Sequence, residues 1–240
     1  MSSKSRVLVL FSGGKDSFLT TCILAKAGHK ISLVTFENTA GLACHNVKHG
    51  TERIIKKYGS ESVDFLGIYS IAGIWRQFLL PFLNEKPKDI LVKYGNLSYS
   101  QFNCLTCRSA MYVVAISLAR QMKIGTIADG GRISQGFVIE LPPMIKQYSH
   151  FFKCHKKKLI FPVLDLSSDW KRKNELLVKG FVPKTLEPQC LLGAPLPNEK
   201  TPDKEEQSAI VKYFKTEILP NANKMLANNI QLDTIGGKYI

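Results

Sequence analysis

The sequence predicts an α/β protein built on a doubly wound, mostly parallel sheet. Short apolar runs alternate along the chain with segments of three- and four-residue apolar spacing, the strand-then-helix order of a sheet covered on both faces. The first run enters a Ser-Gly-Gly turn that opens directly into a helical pattern. The 240 residues, 45% hydrophobic and 22% charged, are enough for one large layered domain. Taken in order, 6–11 (RVLVLF), 31–36 (ISLVTF), 63–69, 124–128 and 159–164 read as strands. Helices are expected over 16–27, with Leu19, Cys22, Ile23 and Leu24 as its apolar residues, then over 46–58 and 71–83. Two more are expected over 107–122, built around Met111, Val114, Ile116 and Leu118, and over 168–179, with Trp170 as its anchor to the core. Residues 1–194 are expected to form one domain; 195–240 would be a polar, charged connector (LPNEKTPDKEEQ) and a tail with a helix around 206–219. The tail is expected to cover the core or to mediate self-association.

No apolar run reaches the roughly 18 residues of a membrane span, and MSSKSR leads straight into a strand, so a cytoplasmic protein with no membrane partner is expected. Six cysteines, at 22, 44, 104, 107, 154 and 190, then read as metal or sulfur chemistry rather than a disulfide framework. Thirty-three basic against nineteen acidic residues leave a formal charge of +14, which favours anionic partners such as nucleotides or RNA.

Ser12-Gly13-Gly14-Lys15-Asp16-Ser17 is a phosphate cradle by composition and place. Glycines allow a tight turn that aims backbone N–H groups at an anion, the helix adds its positive end, and Ser12 and Ser17 add hydroxyls. The spacing is neither G-x-x-x-x-G-K-[ST] nor G-x-G-x-x-G. The hexapeptide resembles the signature of the PP-loop ATP pyrophosphatases, the adenine nucleotide alpha hydrolase-like fold. That resemblance implies ATP with Mg2+, and transfer of AMP to a carbonyl or carboxylate oxygen of a substrate. It puts Ser12, Gly13, Gly14, Asp16 and Ser17 at nucleotide-binding positions and Lys15 at the variable one. Phe36, which ends the second strand, with the loop after it, and Asp129-Gly130-Gly131-Arg132, after the fourth, emerge at the same end of the sheet. Gly130 would let the backbone approach the nucleotide, while Asp129 would bind metal or substrate, or else cap a turn.

Cys104-Leu105-Thr106-Cys107-Arg108 stands just before a predicted helix, where the dipole and Arg108 would favour thiolates. Such a pair can chelate zinc, hold part of an iron–sulfur cluster, or cycle between dithiol and disulfide. One PP-loop followed by C-x-x-C and the distant Cys190 resembles the iron–sulfur branch of the PP-loop sulfur transferases, which includes tRNA thiolation enzymes. The resemblance implies a 4Fe-4S cluster on Cys104, Cys107 and Cys190, with a sulfur donor that replaces an adenylated carbonyl oxygen by sulfur. Cluster-free relatives use a persulfide, a role open to Cys104 and Cys107. The substrate would be a nucleobase, in RNA or tRNA, or a small molecule. The alternatives are an amide- or nitrile-forming PP-loop ligase of the deazaguanine synthase type with structural zinc, and a non-catalytic nucleotide- or RNA-binding module.

Other residues carry weaker signals. Cys22 reads as core. Cys44, His45 and His49 have metal-like spacing, although a solvated helix face is the preferred reading. Lys153 to Lys158 could hold RNA phosphates, with Tyr148, Phe151 and Phe152 stacking on bases, or could simply be solvated. Asp169 to Lys173, and Lys184 beside Glu187, would order the substrate end of the site or cap and solvate a helix.

Overall fold

The computed structural model describes residues 5–42, 44–95, 98–133, 137–166, 168–182, 189–190, 192 and 201–235. β1 (Arg6–Leu10) leads into α1 (Lys15–Lys26), and β2 (Lys30–Glu37) returns beside β1. There follow β3 (Gly41–Leu42), α2 (Val47–Tyr58), β4 (Val63–Ser70), α3 (Ala72–Leu83), α4 (Pro87–Tyr94), α5 (Tyr99–Gln121), β5 (Thr126–Ala128) and α6 (Pro142–Cys154). The chain continues through β6 (Lys158–Ile160), α7 (Asp169–Val178), β7 (Gln189–Cys190), α8 (Lys204–Tyr213), a π-helical turn over Phe214–Ile218, α9 (Leu219–Ala227) and β8 (Thr234–Ile235).

The main sheet runs β6-β5-β1-β2-β4-β8, parallel except for β8, which lies antiparallel to β4. The unbroken apolar run of β1 is explained by burial on both faces. Leu8 and Leu10 join one core cluster with α5, α6 and the tail, whereas Val7, Val9 and Phe11 join a second with α1 and α2. The tail covers the first cluster: Ile210, Phe214, Ile218, Ala222 and Leu226 are buried in it. Tyr213 also donates to the Phe78 carbonyl at 2.8 Å and accepts from the Phe82 N–H at 3.2 Å.

The structure departs from the expected elements in several places. α5 begins at Tyr99, eight residues ahead of the expected 107, because the Ser98 side chain caps it by accepting from the Gln101 N–H. The C-x-x-C pair therefore lies inside a helix and not at its entrance. α4 and α6 were not expected; each opens on a proline in its first turn. Tyr148, Phe151 and Phe152 form the buried face of α6, so they offer no stacking surface. Lys157 is not a phosphate clamp either: its ammonium donates to the carbonyls of Ala119 (3.1 Å) and Ile124 (2.7 Å), closing the end of α5. Trp170 is 69% exposed, and Arg172 and Leu176 anchor α7 in its place. Among the described residues α5 is long and apolar enough to cross a membrane, but 83% of its most apolar window is buried inside the fold.

Candidate active site

In the strand order β6-β5-β1-β2-β4, the chain steps one way from β1 and returns to add β5 on the other side. The crevice beyond the carboxyl ends of β1 and β5 is where such sheets bind ligands. Ser12 to Ser17 and Asp129 to Arg132 emerge there, around a cavity of about 240 Å³ that also reaches Val34, Phe36, Cys44, Arg108, Met111 and Glu140.

The cradle is bonded internally. The Ser17 hydroxyl donates to the Gly14 carbonyl (3.0 Å) and accepts from the Ser12 N–H (3.2 Å), while the Ser12 hydroxyl accepts from the Gly14 N–H (3.3 Å). Gly13 takes the left-handed φ of +78° that the turn requires. Gly130 packs its backbone against the loop: a Cβ there would lie 2.8 Å from Ser17 N and 3.0 Å from the Asp16 carbonyl carbon. The two strand-end segments are thus in direct contact.

Asp16 lies between two arginines, Arg132 Nε at 2.8 Å and Arg172 Nε at 2.7 Å. The second contact is off-line for a hydrogen bond and acts as a charge pair. Arg172 is 1% exposed, donates to the Leu166 carbonyl at 2.6 Å, and reaches Asp169 Oδ1 at 3.2 Å. Asp169 in turn accepts from Lys15 at 2.7 Å, and that bond, with one from Lys173, holds its carboxyl well below the usual range. α7 is therefore tied to the cradle, which joins Asp169 and Arg172 to Lys15 and Asp16. Lys184 and Glu187 lie outside the described residues.

Asp129 is 2% exposed and fully engaged. Arg108 Nη1 contacts both of its oxygens, at 2.7 and 2.5 Å, the Tyr112 hydroxyl donates to Oδ2 at 2.7 Å, and the Gly131 N–H donates to Oδ1 at 3.0 Å. Burial opposes the Arg108 charge, but Asp129 outweighs it, so the guanidinium is held more firmly ionised and stands on the cavity wall. Asp129 thus acts on the cavity through Arg108.

Glu140 was missed by the sequence reading. Burial pushes its carboxyl up to about 7, against the pull of Arg108 and of the Arg132 N–H, which donates to it at 3.2 Å; Asp129 pushes the same way as burial. A carboxyl raised in the fold favours the protonated protein, so stability is highest at low pH and falls as pH rises from about 4.5 to about 7. A shift of that size corresponds to ~3 kcal/mol. Urea unfolding from pH 5 to 8 is expected to show this decline, and Glu140→Gln is expected to flatten it.

Of the six thiols, that of Cys44 lines the cavity. Cys107 is buried and accepts from the Asn38 amide at 3.2 Å; burial, and then the neighbouring Cys190, push its thiol up to about 12. The helix-entrance activation expected for this thiol is therefore overturned. Cys104, one turn earlier, is half-buried, as is Cys190 in β7. Cys22 is core, as expected, and burial pushes its thiol up to about 11. Cys44 is buried while His45 and His49 are exposed, so these three do not form one face. Among the described residues no three His, Cys, Asp or Glu side chains gather closely enough to hold a metal ion.

A family model described as "Thiamine biosynthesis protein (ThiI)" matches residues 2–138, more than half of the chain. No curated protein sequence matches it. Among solved structures, a 4-thiouridine synthetase in complex with RNA and bound ATP is similar at TM-score 0.58 and 15% identity, over 98% of this chain and 56% of that one. A predicted subunit of a tRNA methyltransferase from Methanocaldococcus jannaschii gives TM-score 0.43 and 18% identity, over 78% and 96% of the two chains. Glutamine-dependent NAD+ synthetase from Acinetobacter baumannii gives 0.46 and 15%, over 98% and 43%. The chain spans little more than half the length of the 4-thiouridine synthetase it resembles. With the cradle, the switch-point cavity and the parallel sheet in place, the fold is that of the PP-loop ATP pyrophosphatases, and the chain belongs to the ThiI family.

Proposed function

We propose that this chain is an ATP-dependent, AMP-forming sulfur transferase that adenylates a carbonyl oxygen of a nucleobase in RNA and replaces it with sulfur. The observation that carries the reading is one cavity bounded by the PP-loop on one side and by Arg108 and Cys44 on the other, with Cys107 next to Arg108 on α5 and within electrostatic reach of Cys190. ATP, accompanied by Mg2+, is held through the N–H groups of the cradle and the hydroxyls of Ser12 and Ser17, with the adenine toward Phe36 and Met111. Arg108, Arg132 and Arg172 offset the anionic charge, and Asp16 and Asp129 hold those arginines in position. The substrate oxygen attacks the α-phosphorus and pyrophosphate leaves; a sulfur nucleophile then displaces AMP from the same carbon. The family relation, the 4-thiouridine synthetase likeness and the +14 charge support an RNA substrate.

Cys104, Cys107 and Cys190 are proposed to deliver the sulfur. Three soft thiolates suit a 4Fe-4S cluster, which takes more widely spaced ligands than a single zinc does, and Cys190 is close enough to Cys107 to help push its thiol up. Bound there, a cluster would carry or activate sulfide. The chain's own part is to keep water from the thiols through burial of Cys107 and to orient that sulfur with Asn38.

Substrate-dependent pyrophosphate release tests the ATP half. Protein purified without oxygen, with iron, sulfide and zinc analysis, tests the sulfur half. Alanine at Cys104, Cys107 or Cys190 is expected to abolish thiolation and lower iron while leaving ATP affinity nearly intact. Colourless protein with one zinc would instead favour amide or nitrile synthesis.

A further inference from the structure

The two-residue ladder outside the main sheet sets Gly41 directly opposite Cys190 and Leu42 opposite Gln189. Directly opposed residues of an antiparallel pair project to the same face, with Cβ atoms ~4.5–5.5 Å apart. Gly41 has no side chain on that face, and the Cys44 sulfur stands there: a Cβ at Gly41 would lie 2.9 Å from Cys44 Sγ. The thiol of Cys44 thus stands beside the position that faces Cys190 across the ladder. A disulfide needs Cβ atoms about 3.5–4.5 Å apart, a spacing close to that of facing positions in such a ladder. Cys190 is also close enough to push the Cys44 thiol up, after burial and Glu37. Cys44 also lines the nucleotide cavity beside Phe36 and Arg108.

We propose that Cys44 and Cys190 are a redox-active pair that closes into an intrachain disulfide, fastening the segment after β2 to β7 at the wall of the nucleotide cavity. With a small-molecule disulfide such as glutathione disulfide, one protein thiolate attacks a glutathione sulfur, giving a mixed disulfide and one glutathione thiolate. The second protein thiolate attacks the protein sulfur of that mixed disulfide and releases the other glutathione. Two protein thiols lose two electrons, the glutathione disulfide gains them, and the two protons leave on the two glutathione thiols. The consequence, though not the chemistry, rests on the reading above: closure withdraws Cys190 from sulfur delivery and turns the Cys44 sulfur away from the cavity.

The test equilibrates the full-length protein in glutathione buffers from reducing to oxidising, then quenches in acid, alkylates and maps the peptides. The expected product is a peptide pair joining Cys44 to Cys190. In Cys44→Ser, Cys190 is expected to carry glutathione instead. Under reducing conditions, ATP at ten times its Kd is expected to slow Cys44 alkylation by roughly tenfold, with no effect on the exposed Cys154. A Cys104–Cys107 disulfide in its place, or no protein disulfide in the oxidising buffer, overturns the pairing; the wild-type map decides this even if the variant does not fold. Iron analysis of Cys190→Ala tests the cluster separately, since that reading fails if the variant loads as much iron as wild type.

Discussion

Asp129→Ala is expected to be the most damaging single substitution in the site, lowering stability by about 3–5 kcal/mol. Removing one partner of a buried ion pair leaves the other charge uncompensated, and here that charge is Arg108, held by both carboxylate oxygens. The Tyr112 hydroxyl, buried among Tyr148 and Phe152, would lose its acceptor as well. Against the ~5–15 kcal/mol that holds a typical domain together, this approaches unfolding. Asp129→Asn keeps the shape and one acceptor oxygen, so it is expected to fall between the variant and wild type. Urea unfolding of both, read beside ATP affinity, separates loss of fold from loss of the Arg108 position.

Gly130→Ala is expected to spare the fold and damage nucleotide binding. The added methyl would meet backbone, at 2.8 Å from Ser17 N, and backbone cannot swing aside as a side chain can. Either the segment after β5 or the cradle must shift by several tenths of an ångström. Overpacking of this kind costs about 1–3 kcal/mol. Because the displaced atoms are those that would meet the phosphates, ATP affinity is expected to fall by about tenfold or more, equivalent to ~1.4 kcal/mol. Isothermal titration with ATP, alongside thermal unfolding, measures both parts. Gly131→Ala is the control: its Cβ would meet the Phe161 ring at 3.3 Å, a side chain that can yield.

The sheet and the cradle were legible because they rest on local signals. An apolar run buried on both faces, as in β1, differs from the three- and four-residue spacing of α1, and Ser12 to Ser17 is contiguous in sequence. The start of α5 carried a legible signal that went unread: Ser98 followed by Gln101 has the spacing of a capping pattern. α6 carried one too, in Met144, Tyr148, Phe151 and Phe152, where the adjacent lysines drew attention to charge rather than to periodicity. Asp169 to Lys173 had been read as ordering the substrate end of the site, but Glu140, the contact of Arg172 with Asp16 and the nearness of Cys44 to Cys190 were not legible. Each depends on where a distant segment packs: Arg172 reaches Asp16 only because α7 crosses the cradle, and Cys44 comes near Cys190 because Gly41, beside its sulfur, pairs with Cys190 in a ladder of two residues per strand. Arg108 was read as a helper of the thiols; it does pull the Cys107 thiol down, but burial outweighs that pull and α5 carries its guanidinium to Asp129.

The antiparallel β8 has a meaning beyond topology. β4 would otherwise end the sheet with a row of unpaired N–H and C=O groups, the kind of template on which a second chain can add a strand. β8 occupies part of that row, opposing Tyr69 with Thr234 and Ile68 with Ile235, while the Asp233 carbonyl takes the Ser70 N–H at 2.9 Å. At the far end, β6 is three residues long and starts on a lysine, a poor seed for intermolecular pairing. β8 thus shields the β4 edge, and a chain shortened ahead of Asp233 is expected to leave β4 open to strand addition by its neighbours.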